Sequence, residues 1–221
     1  MYYFADTKQG LRLYREWHTV TEAKPADAGL ASLQRLVNSG DGPFDSDYKT
    51  AWGTGSTINS IKHVGPLAIV DITLGKLSVD AEAEQRAVDQ LVWTLTANDK
   101  SVRSVKFTSD GKTLQSFAGH VDATATFKRE AASDVLASVW ISVPGQSDGA
   151  APWIVTNPVK INGTACVFEA AVPWELLKDG KVVQSDMTMA SESCPVQSPW
   201  KVDLGTLSPG TYVFKAKDLS A

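Results

Sequence analysis

The residue types that most often carry chemistry are sparse in this 221-residue chain, and they do not cluster. A metal site needs several His, Cys or carboxylate groups at ligand spacing. His18, His63 and His120 each stand alone, with no second His or Cys within the next few positions. Nucleophilic catalysis on a strand-to-helix elbow needs Gly-x-Ser-x-Gly, which is not present. A triad assembled from distant positions is not excluded by counting residue types. Gly53-Thr54-Gly55-Ser56 comes nearest to a phosphate-cradling loop, but it feeds a strand and not a helix. Asp45 and Asp47 offer two loop carboxylates to calcium without the further oxygen ligands that ion needs. Asn162-Gly163-Thr164 matches a glycosylation sequon, a pattern of low specificity. From the residues alone the chain is expected to be no enzyme, with no catalytic residue, no metal and no cofactor.

What remains is recognition. Tyr48 and Trp52 lie in a polar loop flanked by Gly and Pro. Aromatic rings placed there can stack on a sugar or fill a partner's pocket, and these two are the candidate binding residues. The alternative is that both pack back over the sheet edge to close a small core. Trp140, Trp153, Trp174 and Trp200 read as core and edge cover of the second half. Cys166 and Cys194 are too few for a zinc site. Paired, they would close a loop worth roughly 3–4 kcal/mol in the chain-entropy account; unpaired, they are two buried thiols, and spacing alone leaves both open.

Composition bounds the class. Hydrophobic residues make up 43% and charged residues 21%, which excludes a disordered or collagen-like chain. The net charge of −4 leaves no basic footprint for nucleic acid or an anionic membrane surface. No apolar run approaches the roughly 20 residues of a membrane span. Met1-Tyr2-Tyr3-Phe4-Ala5-Asp6 carries no leader pattern and reads as a strand, which fits a cytosolic chain or a mature secreted one.

These residues need elements to hold them. Up to Glu130 the chain has both long helical patterns and 15 of its 21 basic residues; beyond it come short strand-like runs broken by Pro and Gly. The boundary gives domains 1–130 and 131–221. Tyr2 to Ala5 and Leu11 to Trp17 read as strands. A helix is expected from about Asp27 to Asn38, ending before Gly40-Asp41-Gly42-Pro43. Two strands follow, Thr57 to Val64 and Leu67 to Thr73, turned by Gly65-Pro66. A second helix runs from about Asp80 to Ala97 with Ala83, Ala87, Val88, Leu91, Val92 and Leu95 inward. Glu84 falls at the frayed start of that stripe, where its charge is expected to reach water. Val102 to Phe107 adds a strand for the helices to cover, so the first domain is α+β, with helices on one face of a mixed sheet.

The second domain reads as all-β. Val139 to Val143, Val159 to Ala171, Trp174 to Leu177, Val182 to Met189, Pro199 to Leu204 and Thr211 to Lys217 are its strands. Asp179-Gly180 marks a hairpin. Tyr212 stands where a tyrosine corner would, after which an immunoglobulin-like sandwich expects one more strand; either this sandwich closes differently or its last strand lies beyond Ala221.

Gln90-Leu91-Val92-Trp93-Thr94-Leu95-Thr96, followed by Val102 to Phe107 and Asp110-Gly111, resembles the GerMN domain of sporulation and spore germination proteins. Asp47-Tyr48, Trp52, Gly65 and Ala68-Ile69-Val70-Asp71 look like the same family, so the resemblance covers about residues 1–130. Asn157-Pro158-Val159-Lys160-Ile161-Asn162-Gly163-Thr164-Ala165, Phe168-Glu169-Ala170 and Pro209-Gly210-Thr211-Tyr212 are similar to the immunoglobulin-like domain of bacterial spore germination, over about 139–221. The resemblance implies an extracytoplasmic protein of the bacterial cell envelope, secreted or held as a lipoprotein through a removed signal or lipid anchor. It implies a non-enzymatic adaptor that binds envelope protein partners, with a module for cell-wall polysaccharide (peptidoglycan) as the alternative. An outside location in turn favours a Cys166–Cys194 disulfide.

Overall fold

The computed structural model describes residues 1–19, 27–38, 42–53, 55–145 and 152–218. Gly40 and Asp41 of the expected helix stop, Thr54 of the Gly-rich turn and Ala221 lie outside the described residues. The chain divides into two units, Met1–Ala131 and Ala132–Ala221, each with its own apolar core.

Strands β1 (Tyr2–Thr7) and β2 (Gly10–Arg15) open the first unit as an antiparallel hairpin with Tyr2 opposite Arg15. A four-stranded sheet follows, built from β3 (Thr57–Val64), β4 (Leu67–Thr73), β5 (Ser104–Ser109) and β6 (Lys112–Thr113), in that order across the sheet. The β3–β4 and β5–β6 pairs are antiparallel and β4–β5 is parallel, so the sheet is mixed. A parallel pair requires a crossover, and helix α2 (Ala81–Asn98) supplies it. Asp80 caps α2 by accepting from the Ala83 N–H at 2.9 Å. Helix α1 (Ala28–Val37) lies against α2 and adds Leu33, Leu36 and Val37 to the core. On the facing side of the sheet Ala68, Val70, Ile72, Val105 and Phe107 alternate inward along β4 and β5.

The hairpin forms a sheet of its own. Side chains of α2 hold it through its backbone. Thr94 Oγ1 accepts from the Tyr2 N–H at 3.1 Å, and Gln90 donates to the Tyr2 carbonyl at 3.0 Å. Glu82 accepts from the Leu11 N–H at 2.7 Å, and Arg86 donates to the Leu11 carbonyl at 2.9 Å.

The second unit starts with a single helical turn, α3 (Ala132–Val135), that the sequence pattern does not signal. Two antiparallel three-stranded sheets follow. One is ordered β11-β8-β7, from β7 (Val139–Val143), β8 (Val159–Ala165) and β11 (Ser198–Gly205). The other is ordered β10-β9-β12, from β9 (Ala171–Lys178), β10 (Lys181–Met189) and β12 (Tyr212–Ala216). Trp174 and Trp200 are buried and stack on Phe214 at 5.6 and 6.3 Å; Trp140 is also buried, and Trp153 is half-buried. Gly163 leaves the space they need: a Cβ there would lie 2.0 Å from the Trp140 carbonyl oxygen and 2.5 Å from the Trp200 ring. The Tyr212 hydroxyl donates to the Ser208 carbonyl at 2.9 Å, as a corner tyrosine does.

Three sequence expectations need correction. The run Val159 to Ala171 is not one strand: β8 ends at Ala165, a 3-10 turn spans Phe168–Ala170, and β9 starts at Ala171. Glu169 and Ala170 turn the chain at φ of 55° and 57° without a glycine, held by the Ala190 N–H on the Ala170 carbonyl at 2.8 Å. Strand β2 ends at Arg15, two residues before Trp17; Glu16 still donates its backbone N–H to the Met1 carbonyl, and its side chain binds a loop. Glu84 does not reach water. It is fully buried and accepts from the backbone N–H groups of Phe117, Ala118 and His120 and from the Ser116 hydroxyl.

Candidate functional site

The loop that carries Tyr48 and Trp52 is fastened at both ends to the β1–β2 hairpin. Glu16 continues β2 and is fully buried. One carboxylate oxygen accepts from the Asp45 N–H and the other from the Phe44 N–H, each at 2.9 Å. His18 Nε2 lies 2.7 Å from the same carboxylate, and its ring stacks on Phe44 at 4.0 Å. At the far end Phe4 and Lys49 exchange backbone hydrogen bonds of 3.0 and 2.7 Å. Between these anchors the loop tightens on itself, with Asp45 accepting the Asp47 N–H through its side chain and the Tyr48 N–H through its carbonyl.

This fastening places the Tyr48 ring on that of Tyr14 at 4.8 Å, with the two planes 23° apart. The stacked pair walls an open pocket of about 590 Å³ whose rim also holds Asp6, Asp45, Asp47 and Lys49. Lys49 pairs with Asp6 at the surface. Burial pushes the Tyr14 hydroxyl above its ordinary pKa, and the Asp45 charge pushes it further the same way, so the phenol stays neutral. An aromatic wall beside carboxylate acceptors can stack a hydroxylated ring and accept its hydroxyl protons.

Trp52 does not share this pocket. It is 4% exposed and packs edge-on against Phe117 at 5.9 Å within the core of the first unit. Its ring is packed back into the core, the alternative the sequence left open, and Tyr48 is the candidate ring that lines the pocket. The loop's apolar neighbours decide this, because a ring of that size gains more from burial between the sheet and Phe117 than from standing in water.

The histidines do not converge. His18 is held by Glu16, His63 lies 3.6 Å from Asp99, and His120 contributes its backbone N–H to Glu84. Among the described residues no group of three or more His, Cys, Asp or Glu side chains could hold a metal ion. Also among the described residues, no helix is long and apolar enough to cross a membrane. Cys166 and Cys194, 28 positions apart, are joined in a disulfide with their Cα atoms 4.5 Å apart. The bond ties the end of β8 to the loop before β11.

Two surface features escape sequence reasoning. One is the outward apolar row of β10, whose signal is the spacing of Met187 and Met189 in a run otherwise read as ordinary sandwich strand. The other is the Arg129 guanidinium lying on the Trp93 ring, a contact between residues 36 positions apart that no local window brings together.

Comparison with known proteins yields two family matches. The model for sporulation and spore germination matches residues 1–115, and that for the immunoglobulin-like domain of bacterial spore germination matches residues 138–221. Similar solved structures include a candidate lipoprotein from Clostridium perfringens, at 15% identity and a TM-score of 0.41, covering 62% of this chain and 90% of that one. The first GerMN domain of the sporulation protein GerM from Bacillus subtilis aligns at 22% identity and a TM-score of 0.39, covering 56% of this chain and 91% of that one. The tandem GerMN domains of the same protein align at 19% identity and a TM-score of 0.38, covering 100% of this chain and 61% of that one. Among curated proteins no match is found.

Proposed function

The chain belongs to the sporulation and spore germination family, with an immunoglobulin-like domain of bacterial spore germination as its second part, and on that premise we propose that it is a non-enzymatic, extracytoplasmic adaptor of the bacterial cell envelope that binds a protein partner. The observation that carries this reading is the outer face of the β10-β9-β12 sheet. Strand β10 is amphipathic in the inverted sense. Gln184 and Thr188 stand opposite the inward residues Leu176 and Val172 of β9, and Thr188 donates to the Lys201 carbonyl of the other sheet at 2.7 Å. Val182, Met187 and Met189 stand on the outward side and are 51–56% exposed. Val213 of β12 is 53% exposed and extends the same face, since it and Val182 both flank Leu177. A row of outward apolar side chains on a well-formed sheet marks a surface that another protein covers. The disulfide suits an oxidising compartment outside the cytoplasm.

Photo-crosslinking amino acids at positions 182, 187 and 213 should each capture the same envelope protein from intact cells. The exposed Lys112 of the first unit serves as the control position. Capture no different from that at position 112 would overturn the reading.

A second reading rests on the Tyr14–Tyr48 pocket, whose ring wall and acid rim suit a wall polysaccharide. Salt-resistant co-sedimentation with purified sacculi, lost in Tyr48→Ala, is its expected signature. A chain that stays in the supernatant rejects it.

A further inference from the structure

The pocket beside Tyr14 and Tyr48 carries more negative charge than a neutral sugar would need. Its lining holds three carboxylates, Asp6, Asp45 and Asp47, and one ammonium, that of Lys49. Lys49 pairs with Asp6. Asp45 uses one carboxylate oxygen, Oδ1, to accept the Asp47 N–H at 2.9 Å. Among the described residues its Oδ2 and the whole Asp47 carboxylate form no hydrogen bond or ion pair. Two acids therefore stand in excess around one cavity.

Acids and rings are fixed relative to one another. The Asp45 N–H is held by Glu16, and Lys49 is held by Phe4 through backbone bonds of 3.0 and 2.7 Å. The segment between them is closed by the Tyr48 N–H on the Asp45 carbonyl at 3.1 Å. Tyr48 lies on Tyr14 of β2 at 4.8 Å, and the Asp45 charge reaches the Tyr14 phenol. Aromatic wall and acid rim share a cavity of about 590 Å³, within the roughly 300–1,000 Å³ of small-ligand sites.

A ligand laid over this rim strips water from Asp47, which is otherwise exposed. A neutral N-acetylated sugar returns hydroxyl and amide donors but no countercharge, and a carboxylate desolvated without one is costly. A polymer bearing phosphates or carboxylates adds like charge and is repelled. A free ammonium on the sugar ring replaces the lost water with charge-assisted hydrogen bonds, about twice as strong as neutral ones. A lysine side chain also brings an ammonium, but on a flexible stem whose ordering costs rotamer entropy. An amino sugar carries its charge directly on the rigid ring that an aromatic wall can stack.

We propose that the Tyr14–Tyr48 pocket selects a glycan with free amino groups, seating a de-N-acetylated glucosamine unit with its ring against the tyrosines and its ammonium at the Asp45–Asp47 edge. The proposal rests on the polysaccharide reading of this pocket and narrows it to one substituent.

The test titrates the full chain with a β-1,4-linked glucosamine hexamer and, separately, with its fully N-acetylated counterpart. Calorimetry gives the affinities, and the backbone amide resonances of residues 45–49 locate the binding. The glucosamine hexamer should bind about tenfold tighter than the N-acetylated one, shift those resonances, and weaken as salt rises. Asp47→Asn should remove most of that difference while leaving the weaker N-acetylated hexamer unaffected. Asp47 has no partner to lose among the described residues, so this variant keeps the parent melting temperature and remains informative where Tyr48→Ala loosens the loop. A trilysine peptide is the control for charge without a ring. The proposal is overturned if the N-acetylated hexamer binds as tightly as the free amine, if Asp47→Asn binds both hexamers like the parent, or if trilysine displaces the glucosamine hexamer at equal charge concentration. Equal binding of the two hexamers, weakened in Tyr48→Ala, removes only the amine selectivity and leaves the polysaccharide reading standing. Binding of neither hexamer removes both.

Discussion

Glu16 and Asp45, 29 positions apart in sequence, are joined by a 2.9 Å hydrogen bond from a loop N–H to a fully buried carboxylate. That carboxylate also accepts the neighbouring Phe44 N–H, so a residue just past a strand end fixes where the loop carrying Tyr48 begins. The stacking of Tyr48 on Tyr14 follows from this anchor together with the Phe4–Lys49 bridge.

Replacing Glu16 with Gln exchanges one acceptor oxygen for an NH2 group that cannot accept from the loop. Stability should fall by about 2–3 kcal/mol, the cost of stranding a buried polar group. Hydrogen exchange over residues 44–49 should quicken relative to α2. Unchanged protection of that loop would show that the Phe4–Lys49 bridge alone holds it.

Glu84 and Asp89 respond to pH in opposite senses. Burial raises the Glu84 carboxyl, but the N–H groups of Ala118, His120 and Val121 and the Ser116 hydroxyl outweigh it, so its pKa lies below the ordinary 4.5. Its contribution is present above pH 4.5 and is lost as pH falls through the depressed value. Burial raises Asp89 from 3.8 to about 6, with Arg86 opposing and Glu130 reinforcing. The folded chain therefore holds that proton more tightly than the unfolded one, and the contribution of protonated Asp89 is lost as pH climbs through about 6. Glu84→Gln should flatten the acid limb of a stability–pH profile, and Asp89→Asn the rise in stability from pH 7 down to 5. Profiles parallel to the parent would refute each assignment.

Gly163→Ala puts a methyl group where the Trp140 carbonyl and the Trp200 ring already stand. Backbone and indole cannot both yield, so a loss of about 3 kcal/mol or more is expected, at the upper end of overpacking costs. Urea unfolding of the second unit reads it directly, and a midpoint within error of the parent would show that the sheet can spread there.

Reducing the Cys166–Cys194 bond, or replacing both residues with Ser, frees a 28-residue separation in the unfolded chain. The loop-entropy account sets the loss at roughly 3–4 kcal/mol, with the first unit's melting unaffected. Loss of structure in the first unit on reduction would contradict this.

Much of the fold is legible in the sequence because local signals agree with tertiary demands. The α2 stripe, the Gly65-Pro66 turn and the Asp179-Gly180 turn, with φ of 50° and 75° at the last two, all mark what they form. The turn at Glu169 and Ala170 is hidden because ordinary residues adopt left-handed backbone there, held by a bond from Ala190. Glu84 reads as a fraying helix acid because its partners lie more than 30 positions away. Tyr48 is legible as a site candidate, while Trp52 is not distinguishable from it until the core shows which ring the sheet and Phe117 enclose. The Arg129–Trp93 contact joins residues 36 positions apart, and no periodicity records it.

Glu82, Arg86, Gln90 and Thr94 of α2 tie down the hairpin through main-chain atoms of Tyr2 and Leu11. Such a mooring is indifferent to most side chains the hairpin carries. Evolution can therefore rewrite Tyr14, Arg15 and Trp17 without renegotiating the helix-on-sheet body beneath them, which makes the hairpin a variable surface on a constant frame. Relatives sharing α2's Glu82, Arg86, Gln90 and Thr94 would be expected to keep the hairpin's position while differing in the side chains it presents.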